Sequence, residues 1–137
     1  MKTAVDANII SALWTGEPSS RHGQEALEEA QRHGTLIVSA PVFCELHACP
    51  GVTGEMVVRF LRDTGIVTDF QIGEHVWQEA AIRFARYAIR RRKSGGASPK
   101  RMLVDFVVGS HALLLTDCLL TLDKERYARD FPELKLM

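Results

Sequence analysis

Short apolar runs rich in β-branched residues alternate along this chain with longer stretches of helical periodicity. The runs that predict strands are residues 3–5, 35–38, 66–68 and 118–121, with a possible fifth at 134–136. Apolar residues spaced three and four apart predict helices between them. Strands separated by helices pair in parallel through crossover connections, and helices then cover both faces of the sheet. The sequence therefore predicts an α/β fold.

The length and composition are those of one ordinary globular domain. The chain has 137 residues, of which 46% are hydrophobic and 25% are charged. We therefore expect a single domain spanning residues 1–137. No apolar stretch approaches the roughly 20 residues that span a bilayer, and no signal-peptide pattern follows Met1. A cytoplasmic location without membrane association is the expectation.

Cysteine and histidine do not form a recognisable site. The three cysteines and five histidines show no CxxC, HxxxH or HExxH pattern. This spacing argues against a disulfide framework and against a zinc site. Cys44 and Cys118 lie among apolar residues, and we predict that both are buried, reduced thiols.

Four acidic residues are placed so that the predicted sheet would gather them. Asp6 and Asp123 directly follow the first and fourth strands. Glu45 lies in the first turns of the helix after the second strand, and Asp105 opens the helix that leads to the fourth. Ligands of open parallel sheets bind beyond the carboxyl ends of the strands, so these four acids can meet there. The remaining acids of the helices are predicted to be ordinary solvated residues, among them Glu25, Glu28, Glu29 and Glu79.

Each acid taken alone has a competing structural explanation or a need for a cation. An aspartate after a strand commonly caps the next helix, which would account for Asp6, Asp105 and Asp123. Glu45 interrupts an apolar stretch, where a buried or half-buried carboxylate needs a positive partner. Carboxylates without thiolate or imidazole favour Mg²⁺ or Mn²⁺. Such clusters serve phosphodiester hydrolysis, because the bound metal activates water and neutralises developing charge.

Basic residues cluster just before Asp105, although the formal net charge of the chain is +0. Most such runs are solvated helix faces, and that interpretation stays open here. The alternative is contact with the phosphates of a nucleic acid, since the cluster ends close to a candidate catalytic acid. The candidate phosphate contacts are Arg90, Arg91, Arg92, Lys93, Lys100 and Arg101.

Four ordered motifs connect the chain to a known family. They are VDANII at residues 5–10, SAPVFCEL at 39–46, DFVVGSHA at 105–112 and LTLDKERYARDFPELK at 120–135. With these motifs the sequence resembles the PIN-domain ribonucleases, particularly the toxins of VapBC-type toxin–antitoxin pairs. Each motif is short, but their order, spacing and the total length agree over essentially the whole chain.

The resemblance carries expectations about fold and function. It implies a parallel sheet in the order 3-2-1-4-5, an Mg²⁺ or Mn²⁺ cofactor, RNA cleavage, a cognate antitoxin partner and frequent homodimers. It places the catalytic and metal-binding roles on Asp6, Glu45, Asp105 and Asp123. Asn8 and Thr121 match small polar positions that orient ligands or water. Lys124 stands where some members carry a further acid or asparagine, so one or two metal ions stay open.

Two other interpretations account for part of this pattern. One is a catalytically degenerate PIN fold that acts as a binding module, although all four acids are present. The other is a phosphatase of the haloacid dehalogenase type, which needs a second aspartate two residues after the first, where this chain has Asn8. The chain also lacks the GxxxxGK[ST] motif of the P-loop nucleotide hydrolases.

Overall fold

The structure is a computed structural model that describes residues 1–96 and 102–137. Within these residues four parallel strands form one sheet in the order β3-β2-β1-β4. The strands are β1 (Lys2–Val5), β2 (Thr35–Ser39), β3 (Val67–Asp69) and β4 (Cys118–Leu120). Consecutive residues of β1, β2 and β4 are buried. Because neighbouring side chains of a strand point to opposite faces, helices must cover both sides of the sheet. The α/β prediction is therefore confirmed.

The predicted fifth strand is reduced to a single parallel bridge between Leu119 and Leu136. The backbone N–H of Leu119 donates to the carbonyl of Lys135, and that of Met137 donates to the carbonyl of Leu119, both at 2.9 Å. This segment lies beside β4, which is the place that the order 3-2-1-4-5 assigns to it. Three residues supply too few ladder hydrogen bonds for a regular strand.

Seven helices connect and cover these strands in the part of the chain that the structure describes. The first six lie where the apolar spacing of the sequence predicts helices. The last was not predicted, because its seven residues bury only Tyr127 and Asp130 and so show little periodicity. The helices are α1 (Ala7–Thr15), α2 (Ser20–His33), α3 (Ala40–His47), α4 (Gly54–Thr64), α5 (Glu74–Lys93), α6 (Leu103–Leu115) and α7 (Lys124–Asp130).

Helix α6 runs through the core. Every residue from Phe106 to Ala112 is buried, so this helix is covered on all sides. At Gly109 a Cβ atom would lie only 2.4 Å from Cε2 of Phe131, which follows α7. The glycine therefore permits close packing of the C-terminal segment against α6, and this packing fixes α7 next to the beginning of α6. No helix in the described residues is long and apolar enough to cross a membrane.

Two predictions about individual side chains are wrong. Cys118 is buried, but Cys44 is exposed, because α3 directs Val42 and Leu46 into the core and turns Cys44 to the opposite side. Glu79 was predicted to be solvated, but it lies 3.0 Å from the buried guanidinium of Arg83. Arg83 also pairs with Glu133 and donates to the carbonyl of Asp130 at 2.8 Å, so a buried charge is fully paired there.

Candidate active site

Asp6 lies at the carboxyl end of β1 and at the N-cap of α1. Its Oδ1 accepts the backbone N–H of Ala7 at 2.8 Å, and its Oδ2 accepts the hydroxyl of Thr121 at 2.9 Å. Only 8% of the residue is exposed. Asp6 therefore caps helix α1. This structural role does not exclude a catalytic one, because the same carboxylate also belongs to a polar cluster that connects the ends of two strands.

Asn8 and Thr121 connect Asp6 with Asp123. The hydroxyl of Thr121 accepts the backbone N–H of Asp123 at 3.0 Å. Asn8 Oδ1 accepts the backbone N–H of Leu122 at 3.1 Å, and Asn8 Nδ2 donates to Asp123 Oδ2 at 3.4 Å. These bonds hold the segment after β4 against the beginning of α1. The two small polar residues thus fix the positions of the acids.

Asp105 enters the cluster from the first turn of α6, and a basic residue meets it there. Arg126 of α7 places Nη2 at 3.8 Å from Asp105 Oδ2 and Nη1 at 3.8 Å from Asp123 Oδ2. Both distances are those of an ion pair and exceed a hydrogen bond. Arg126 is not among the site residues predicted from the sequence. The available signal was its spacing of three residues from Asp123 on a helix, which places the two side chains on one face.

Electrostatics join Glu45 to the same cluster. Burial, opposed by hydrogen bonds from Thr121 and Ala7 and reinforced by the charges of Asp105 and Asp123, raises the pKa of Asp6. Partial burial and the charges of Asp6 and Asp105 raise the pKa of Glu45 to about 7. Glu45 is nevertheless an exposed residue, because it shares the outer side of α3 with Cys44. Its carboxyl group is only partly removed from solvent, which agrees with a half-buried rather than a fully buried acid. Its carboxyl faces the other acids and remains open to solvent.

The fold agrees with comparisons to known proteins. The PIN domain family model matches residues 3–132. The chain belongs to the PIN domain family. Its fold is also similar to that of two solved structures. One is VapBC2 from Rickettsia felis bound to a DNA fragment from their promoter, with 19% identity, a TM-score of 0.62, and coverage of 100% of this chain and 98% of that one. The other is VapBC-1 from nontypeable Haemophilus influenzae, with 18% identity, a TM-score of 0.63, and coverage of 100% and 97%. No curated protein sequence matches the chain.

This PIN domain has the donor set for a hard divalent cation, but its acids do not form a ready-made metal site. Among residues 1–96 and 102–137, no group of three or more histidine, cysteine, aspartate or glutamate side chains has metal-binding geometry. Both oxygens of Asp6 accept hydrogen bonds, and Arg126 lies between Asp105 and Asp123. The donors are all carboxylate oxygens, and burial, reinforced by mutual repulsion, raises the pKa of Asp6 and Glu45. A divalent cation would relieve that repulsion, so Mg²⁺ or Mn²⁺ fits once the side chains rearrange.

The predicted phosphate contacts of the PIN domain separate into three groups. Arg90 and Arg91 line a cavity of about 410 Å³ beside α7. Arg92 and Lys93 are exposed at the end of α5 and do not line it. The remaining two, Lys100 and Arg101, lie outside the described residues.

Proposed function

We propose that this PIN domain is a metal-dependent endoribonuclease, the toxin of a type II toxin–antitoxin pair, which hydrolyses RNA phosphodiester bonds. One observation carries the proposal. Four carboxylates, from the ends of β1 and β4 and from α3 and α6, interact electrostatically at a single edge of the sheet. Membership of a family of nucleases that generally use divalent metals supports the same conclusion.

The catalytic roles follow from the environment of each acid. Asp6 is the most firmly held, because two hydrogen bonds orient its carboxylate. With Asp105 it provides the main metal-binding oxygens, and Asp123, loosely held by Asn8, completes them. The chemistry supplied by bound Mg²⁺ or Mn²⁺ is a lowered pKa of water and neutralisation of charge on the phosphate.

Glu45 has a further role in this proposal. It is accessible to solvent, and in the metal-free protein partial burial and the charges of Asp6 and Asp105 raise its pKa to about 7. An accessible carboxylate beside the other acids can orient the attacking water, and we assign that role to Glu45, while Asn8 and Thr121 keep the other acids in place.

The partners belong to the same proposal. The two similar structures are described as VapBC, which supports a cognate antitoxin that covers the site. A cytoplasmic location and a homodimer complete the account. Co-expression with the product of an adjacent small gene tests the antitoxin: the account predicts a stable complex with no nuclease activity.

A second candidate is a PIN-fold binding module without catalysis. The observation that favours it is Arg126, which already supplies a positive charge between Asp105 and Asp123. Calorimetric titration with Mn²⁺ separates the two. Binding that disappears in Asp6→Asn supports the nuclease, whereas no binding of Mn²⁺ or Mg²⁺ supports the binding module. An assay on defined RNAs, with metal and with chelator, then tests cleavage itself.

A further inference from the structure

A basic cavity adjoins the carboxylate cluster on the side of α7. It has a volume of about 410 Å³ and is lined by the end of α5 and the outer face of α7. Among the described residues, its wall contains four arginines and one acid: Arg90, Arg91, Arg126 and Arg129 with Asp130. The described lining is therefore mainly positive, although Arg126 also pairs with Asp105 and Asp123.

The single acid of the cavity does not cancel this charge. The side chain of Asp130 is almost fully buried, and it forms an ion pair with Arg90. That ion pair holds Arg90 in place and neutralises the charge of Asp130. Arg129 is exposed and makes no ion pair with any other residue that the structure describes. Arg129 thus presents an uncompensated guanidinium to the cavity, and guanidinium groups bind phosphate through paired, charge-assisted hydrogen bonds.

Arg126 makes the cavity continuous with the acids. The same guanidinium that lines the cavity lies 3.8 Å from Asp105 and 3.8 Å from Asp123. A strand whose reacting phosphate lies at the carboxylates would therefore pass directly into the cavity. The charges at the two places also favour this arrangement. The basic cavity attracts phosphate directly, and the acid cluster attracts phosphate when it holds a cation.

We propose that this cavity binds an RNA phosphate next to the one that is cleaved, held by Arg91, Arg126 and Arg129. The inference rests on the proposed nuclease function and adds a phosphate subsite to it. The contacts are to the backbone, so the subsite positions the strand and reads no base. An acidic segment of a protein is the competing occupant, and RNA binding decides between them.

The test measures binding of a single-stranded RNA oligonucleotide by fluorescence anisotropy across a series of salt concentrations, in chelator so that no cleavage occurs. The variant is Arg129→Gln, and the matched control is Arg59→Gln on α4. Arg59 is also exposed and also lacks an ion pair among the described residues. Neither change removes a packed side chain, and thermal unfolding checks that both variants are folded.

The expected result is a weaker salt dependence in one variant only. The plot of log Kobs against log salt has a negative slope, and removing one phosphate contact to a single strand makes that slope shallower by about 0.7. Arg129→Gln should show that decrease and weaker binding at low salt, and Arg59→Gln should match the wild type. Equal slopes for all three proteins would overturn the subsite.

A separate cleavage assay keeps this result distinct from the nuclease proposal. If the wild type cuts RNA while Arg129→Gln keeps the wild-type salt slope, the subsite is wrong and the nuclease stands. If the slope falls in Arg129→Gln but the wild type cuts no RNA with Mg²⁺ or Mn²⁺, the phosphate subsite stands and the nuclease is wrong.

Discussion

Arg126 lies between Asp105 and Asp123, with one guanidinium nitrogen at 3.8 Å from a carboxylate oxygen of each. The two acids come from different elements, the first turn of α6 and the segment between β4 and α7. In the metal-free protein the arginine thus supplies part of the positive charge that the acids need. Its ion pairs are long, and 47% of its side chain is exposed, so it can be displaced at low cost.

The first prediction follows from that competition. Arg126→Gln removes the internal cation, so Mn²⁺ should bind the variant several-fold more tightly than it binds the wild type when no RNA is present. Isothermal titration calorimetry measures the difference. Arg126→Lys keeps a positive charge and should stay close to the wild type, while Arg59→Gln is the distant control. Equal Mn²⁺ affinities for Arg126→Gln and wild type would show that the arginine does not compete.

The second prediction concerns pH. The pKa of Glu45 is raised from 4.5 to about 7, chiefly by burial and then by Asp6 and Asp105, and that of Asp6 is raised from 3.8. The folded protein therefore binds more protons than the unfolded chain in this range. Stability from these groups is complete below their unfolded values and is lost as pH rises through the folded ones.

Without metal, the free energy of unfolding should therefore fall between about pH 5 and pH 8. Chemical denaturation in chelator measures it. Glu45→Gln should flatten the upper part of this decline, and Mg²⁺ should restore stability at the alkaline end. A metal-free protein that becomes more stable as pH rises across this range would refute the repulsion between the acids.

The third prediction concerns the support beneath the acids. Thr121→Val keeps the approximate volume but removes the hydroxyl that donates to Asp6 and accepts from Asp123 N–H. Leaving these buried groups without partners should cost about 1–3 kcal/mol of stability. It should also raise the pKa of Asp6 further, so metal binding should require a higher pH. Thr121→Ser keeps the hydroxyl and should bind metal at the wild-type pH; a similar shift in both variants would point to packing instead.

The fourth prediction concerns the packing that places α7. A methyl group at Gly109 would lie within 2.5 Å of two ring atoms of Phe131. Gly109→Ala should therefore destabilise the fold by about 1–3 kcal/mol through overpacking, despite the better helix propensity of alanine. Thermal unfolding provides the measurement, and Gly109→Ala with Phe131→Leu should recover part of the loss. A more stable Gly109→Ala would show that propensity outweighs the contact.

The strands and helices could be predicted from the sequence because short apolar runs and a 3.6-residue period are local properties. The convergence of the acids could also be predicted, because the carboxyl ends of parallel strands lie at one edge of the sheet. Arg126 could not be assigned in this way. Its position depends on the packing of α7 against α6, which in turn depends on a contact between Gly109 and Phe131.

Other differences also come from tertiary packing. The orientation of α3 about its axis exposes Cys44 and Glu45, although both stand in an apolar stretch of sequence. The pairing of Glu79 with Arg83 depends on Glu133 from the C-terminal segment, which completes the shell around the buried guanidinium. No local pattern contains that information, because the three residues come from two distant parts of the chain.

The fifth prediction concerns the carboxylates themselves. Asp6→Asn, Asp105→Asn and Glu45→Gln keep the shape of each side chain but remove its charge, so RNA cleavage should fall by at least about 100-fold. Asp123→Asn should have a milder effect, because this acid is held less firmly. Loss of one charge relieves repulsion, so the metal-free variants should be at least as stable as the wild type. Glu28→Gln, on the exposed face of α2, is the control.

The most direct measurement is the single-turnover rate of cleavage of a defined RNA in Mg²⁺ or Mn²⁺ by the wild type, Asp105→Asn and Glu28→Gln, with RNA binding measured in parallel. The account predicts that wild type and Glu28→Gln cut at equal rates, that chelator stops both, and that Asp105→Asn binds RNA but scarcely cuts it. Cleavage by Asp105→Asn at the wild-type rate, or by the wild type in chelator, would contradict it.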